Sequence, residues 1–249
     1  MQPDWYIEKR KHIQEVFAQS KPQDTKEVFS PSEKYKLIIS DYFSGKNTWN
    51  YTRGDVINVN DGQLISRVDR NYTAFPFSWC ERHPEGHDYL ICGEDYQCQT
   101  IIELDTRKRI DYVDPLAEQG WAFCWTAHYP SPDGKYLIVE GCVWACPYEL
   151  VLFDFTKPMS LPYKEIKRWP KDESYTQDLD KVLGFNPDGS FAFTFEEEVR
   201  RLDNKPVRLL TKEEQEILSE AENYNDVIRY RKYKTIWQPD NTEQIISMD

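Results

Sequence analysis

The sequence predicts an all-β repeat protein in which about 50 residues at a time make one four-stranded antiparallel sheet. The first observation behind this is a recurring proline phrase. It reads Ser30-Pro31-Ser32-Glu33-Lys34-Tyr35, His83-Pro84-Glu85-Gly86-His87-Asp88-Tyr89, Ser131-Pro132-Asp133-Gly134-Lys135-Tyr136 and Asn186-Pro187-Asp188-Gly189-Ser190-Phe191. A worn fifth copy is Gln238-Pro239-Asp240-Asn241, and successive prolines stand 53, 48, 55 and 52 residues apart. The second is that strand-forming runs flank each phrase. The third is an aromatic fraction of 14% in a chain of only 39% hydrophobic residues. Rings then supply the apolar area that aliphatic side chains do not.

Residues 1–24 read as an N-terminal helical extension. Pro3 and Asp4 suit a helix start, and Tyr6, Ile13, Val16 and Phe17 fall near one face. Lys21-Pro22-Gln23-Asp24 then breaks the pattern. Residues 25–249 read as one repeat domain. In the best-formed repeat, Phe123–Tyr129 is a strand, Asp133-Gly134 supplies the turn, and Tyr136–Val139 is the next strand. Third strands are predicted at Asp55–Val59, Thr100–Leu104 and Leu150–Asp154. Fourth strands follow at Gln63–Val68, Arg109–Val113 and Tyr163–Arg168. A single sheet cannot bury both faces, so neighbours must stack on it.

The last third departs from this plan. Thr211 and Glu214 have capping-box spacing. Ile217, Leu218, Ala221, Tyr224 and Ile228 share a helical face, which predicts an inserted helix over about 212–229. Gln244–Ser247 is a closing strand.

Pro132-Asp133-Gly134-Lys135-Tyr136-Leu137 with its apolar strand resembles the repeats of TolB-like and WD40-like β-propellers. The resemblance implies a small propeller of four to five four-stranded blades, with the turn joining the first two strands of each. Phe153-Asp154 stands where WD40 repeats carry their Trp-Asp pair.

The formal net charge is −12, from 43 acids and 31 bases. Such a surface repels a phosphate backbone, so no nucleic-acid partner is expected. No apolar run is long enough to span a membrane, and the amino terminus carries no secretory pattern. A cytoplasmic location and six reduced cysteines are the expectation.

Three groups of residues could carry chemistry. Acids end the second strands: Asp41, Glu94 with Asp95, Glu140 and Glu196. Crowded at one mouth of a propeller, they would suit a hard cation such as calcium. The segment from Glu140 to Glu149 is rich in thiols and rings. With Trp125 it forms a candidate partner surface of Trp125, Cys142, Trp144, Cys146, Tyr148 and Glu149. Cys80, His83 and His87, followed by Cys92 and Cys98, offer zinc ligands but only one fragment of a site. Gly-x-Ser-x-Gly, phosphate-loop and His-Glu-x-x-His motifs are missing.

The expected function is a non-catalytic protein-binding module that uses aromatic and acidic loops. The alternative is a metal-dependent hydrolase or lyase holding its cation on the strand-end carboxylates. No cofactor is expected on the first reading; calcium or zinc belongs to the second.

Overall fold

The computed structural model describes residues 2–143, 147–170 and 177–248. It contains four four-stranded antiparallel sheets, and within each the strand order follows the chain. The first holds β1 (Pro22–Phe29), β2 (Tyr35–Tyr42), β3 (Tyr51–Asn58) and β4 (Leu64–Arg70). The second holds β5 (Ser78–Cys80), β6 (Tyr89–Asp95), β7 (Cys98–Glu103) and β8 (Lys108–Val113). The third holds β9 (Cys124–Pro130), β10 (Tyr136–Cys142), β11 (Glu149–Asp154) and β12 (Glu165–Trp169). The fourth holds β13 (Gln177–Phe185), β14 (Phe191–Arg200), β15 (Ile228–Trp237) and β16 (Glu243–Ser247). Four-stranded antiparallel sheets of this kind fit a propeller blade.

The proline phrase joins the first and second strands of every sheet. Its fourth residue adopts positive φ each time: Glu33 at 59°, Gly86 at 89°, Gly134 at 69° and Gly189 at 83°. The amide of that residue donates back to the residue before proline, at 2.8–3.0 Å. One turn therefore serves all four sheets. The fifth copy is the same turn, with Asn241 at 68° and its amide on Gln238 O. It joins β15 to β16, however, and so closes the fourth sheet instead of opening a fifth. The upper limit of five blades is corrected to four sheets.

Contacts divide the chain into two units. One is Met1–Cys146 with Val151–Ile166, and the other is Pro147–Leu150 with Lys167–Asp249. In the first unit the second sheet is covered on both faces. Leu90, Cys92, Ile102 and Leu104 pack with Leu37, Ile39, Val56 and Phe75 of the first sheet and its following loop. Tyr89, Ile91 and Ile101, one position out of phase, pack with Trp125, Leu137, Val139 and Phe155. Strand alternation makes both layers at once, which is why β6 and β7 are buried throughout.

The amino-terminal helix, α1 (Asp4–Gln19), lays Ile13 and Phe17 against Tyr42 and Tyr51 of the first sheet. Strand β1 starts at Pro22, inside the stretch expected to be a break. In the second unit the insertion between β14 and β15 is shorter in helix than expected. Its α-helices are α2 (Lys212–Ser219) and α3 (Tyr224–Val227), after a short 3-10 turn at Val207–Leu209, and the Thr211–Glu214 capping box is formed. Ile228 pairs with Arg200 in the sheet, so its helical spacing to Tyr224 is incidental. Among the described residues no helix is long and apolar enough to cross a membrane.

Candidate functional site

Among the described residues no group of three or more His, Cys, Asp or Glu side chains could hold a metal ion. The reason is local neutralisation. Glu94 is buried and accepts from Tyr6 Oη at 2.8 Å and Arg109 Nη2 at 2.6 Å, with Arg10 at 3.5 Å. Burial beside Glu94 pushes the Tyr6 hydroxyl far above its usual range, so it stays a donor. Asp95 pairs with Lys9 at 2.5 Å. Glu140 accepts from Tyr129 Oη at 3.0 Å, and Glu196 pairs with Lys232 at 3.3 Å. A carboxylate already matched to a donor or cation has little to offer a second one.

The zinc fragment is likewise structural. His83 is buried, with Nε2 2.8 Å from Gly134 O and 3.1 Å from Phe155 O. His87 turns to Asp105 at 2.7 Å, away from that interior. Cys80, Cys92, Cys98 and Cys124 are in no disulfide, and burial raises the thiols of Cys80 and Cys92 to about 12. Such thiols are poor nucleophiles.

The predicted partner surface is broken up as well. Trp125 and Cys142 are buried, with Trp125 packed on Phe153 and Tyr163. Glu149 is held by Arg168. Tyr148 is exposed, and Trp144 and Cys146 lie outside the described residues.

One predicted acid sits differently. Asp41, near the end of β2, is directly opposite Asp24 of β1 in the ladder. The pair is in unbroken register with Thr25–Phe29 against Ser40–Lys36, and the ladder shifts only beyond it, between Pro22 and Asp24. Opposed residues in an antiparallel pair have Cα atoms about 4.5–5.5 Å apart and side chains on one face. Both acids line a cleft of about 410 Å³, with Thr25, Lys26, Thr73, Phe75 and Thr126 among its other walls. Asp24 also accepts from the Thr25 amide at 2.8 Å. Among the described residues neither acid is within ion-pair reach of a cation, whereas Glu94, Asp95 and Glu196 each are. Like charges placed opposite one another destabilise a sheet, so this pair runs against the rule the other acids obey.

The sequence reading missed Asp24 because Pro22 suggested a break. The usable signal was a proline at the first residue of a strand, where its missing N–H costs nothing.

Searches against known proteins give three results. No family model matches the chain. It is 31% identical over 191 residues to the uncharacterized protein R762 of Acanthamoeba polyphaga mimivirus, across 76% of this chain and 74% of that protein. The chain belongs to the R762 family. A solved structure of an engineered GH43 glycoside hydrolase, with endo-xylanase and exo-arabinofuranosidase activity, matches this R762 relative with a TM-score of 0.38. Identity is 10%, and the match covers 91% of this chain and 40% of that one, so the chain spans about 40% of that protein's length. The expectation of a non-catalytic protein-binding module relied on anchors the chain does not present, since Trp125 and Cys142, two of them, are interior side chains. That expectation is corrected.

Proposed function

We propose that the chain is a hydrolase of the two-carboxylate kind, that Asp24 and Asp41 are its reacting groups, and that a glycosidic bond is what it cleaves. The observation that carries the reading is their pairing: two opposed acids, neither within ion-pair reach of a cation, in an open cleft of about 410 Å³. Acetal hydrolysis needs such a pair. One carboxylic acid protonates the leaving oxygen while the other carboxylate activates water or attacks carbon. Neither step needs a metal. The hydroxyls of Thr25, Thr73 and Thr126 are suited to hydrogen-bond a polyhydroxylated ligand, and Phe75 gives it an apolar wall.

The test is hydrolysis of a panel of nitrophenyl glycosides and soluble polysaccharides by the native protein and by the variants Asp24→Asn and Asp41→Asn. Each variant should lower kcat/KM by about 10²–10⁴-fold. Each should also leave thermal stability unchanged or slightly higher, because it removes one of two facing like charges. No hydrolysis by the native protein across the panel, or native rates in both variants, overturns the proposal.

A further inference from the structure

Beside the cleft, three rings in mutual contact form a ledge, with Trp49 and Tyr72 exposed and Tyr96 half-buried at its end. Trp49 and Tyr72 have centroids 5.4 Å apart, and Tyr72 and Tyr96 have centroids 6.0 Å apart. Trp49 is 53% exposed and Tyr72 is 38% exposed. Burial would remove this apolar area from water, yet the fold leaves it outside.

The ledge is held in place by the main chain. Trp49 Nε1 donates to Asn71 O at 2.7 Å, and Thr52 Oγ1 donates to Tyr72 O at 2.9 Å. Thr52 is the ladder partner of Asp41 on β3, so a single residue joins the strand position opposite the acid to the main chain of Tyr72. Tyr72 immediately precedes Thr73 and Ala74, both of which line the cleft. A ligand seated at Asp24 and Asp41 and extending past Thr73 meets the rings next. At the far end Lys9 Nζ stands 5.4 Å from the Tyr96 ring, and Asp95 neutralises it.

We infer that the Trp49–Tyr72–Tyr96 ledge is a binding surface for a neutral polysaccharide chain, an extension of the cleft beyond the bond that is cut. The inference rests on the glycosidase reading above. A net charge of −12 disfavours polyanions, including nucleic acid, on this surface. A neutral chain escapes that repulsion. Sugar rings present C–H faces that pack on aromatic faces, and the three rings, tilted 58° and 41° to one another, offer a twisted row of such faces. Pre-ordered rings bind with little further loss of rotamer freedom.

The experiment is affinity electrophoresis in gels containing hydroxyethyl cellulose, xylan or galactomannan. It uses the full chain carrying Asp41→Asn, so that binding is read without turnover. At least one polymer should retard this protein. Adding Trp49→Ala and Tyr72→Ala should weaken that retardation about tenfold, while Trp49→Phe, which keeps a ring, should preserve most of it. Thermal unfolding of every variant must match the parent, which separates a lost surface from a lost fold. No retardation in any gel, or equal retardation with and without the rings, overturns the inference. Retardation that depends on the rings in a chain without hydrolytic activity would instead remove the glycosidase reading and leave the ledge standing. Hydrolysis with no ring-dependent retardation does the reverse.

Discussion

Replacing Lys9 by methionine is the sharpest probe of how the first unit is held together. Lys9 Nζ stands 2.5 Å from Asp95 Oδ2, and Asp95 is 1% exposed. That oxygen has no hydrogen bond from any other group. Arg70 is close by, but its Nη1 is engaged by the carbonyls of Gly93 and Asp95 and its Nε by that of Ala74. Lys9→Met therefore leaves a buried carboxylate without its partner. Breaking a buried pair in this way costs about 3–5 kcal/mol. Lys9 itself is about one-third exposed, so solvent already screens part of the attraction and the lower end, about 3 kcal/mol, applies. In a chain of this size that is a fall in Tm of roughly 6–12 °C. Thermal unfolding by near-ultraviolet circular dichroism reads it. Adding Asp95→Asn to Lys9→Met should restore most of the loss, because the orphaned charge is gone. A Tm for Lys9→Met within about 1 °C of the parent, or no recovery in the double variant, would refute the account of α1 as a neutralising strut.

Two further outcomes follow from particular residues. His128 is buried, its Nδ1 has no partner, and burial and then Arg70 depress its pKa to about 3. The unfolded chain takes up this proton near pH 6.5 and the folded chain does not, so stability is full above 6.5 and declines as pH falls toward 3. The slope is about 1.4 kcal/mol per pH unit, and His128→Gln should flatten the unfolding free energy against pH across this window by that amount, read by denaturant titration; identical profiles would count against it. Gly134 combines φ of +69° with a position where a Cβ would lie 2.5 Å from Pro84 Cδ and 2.7 Å from His83 Cδ2. Gly134→Ala should cost about 1–3 kcal/mol by denaturant titration, and an unchanged midpoint would show that the turns of the second and third sheets do not press on each other.

How much of this was readable from sequence depends on distance along the chain. The Pro–x–Gly turns and the Thr211 cap are made by residues within six positions of one another, so the sheets and the cap could be placed without knowing anything else. The limit of four sheets was harder to read, because Gln238–Asn241 has the same local chemistry as the other turns and differs only in which strands it joins. The inserted helix was overextended because Ile228 satisfies a helical period and a strand register equally well. Asp41 stands out as an acid at a strand end, but what sets it apart is Asp24 across the ladder, and that pairing needs β1 to start at Pro22, which reads as a break. Glu94 and Asp95 looked equivalent to Asp41, yet Tyr6, Lys9 and Arg10, more than 80 residues earlier, cancel them.

Those long-range ties impose an order on assembly. The apolar side of α1 can settle onto Tyr42 and Tyr51 as soon as the first sheet has emerged from the ribosome. Its polar latch has to wait, since Glu94 is synthesised 88 residues after Tyr6, roughly 4–18 s later at 5–20 residues per second. Fastening is therefore a two-stage event, grease first and charge second. A nascent chain stalled before Glu94 would carry the helix seated but unlocked.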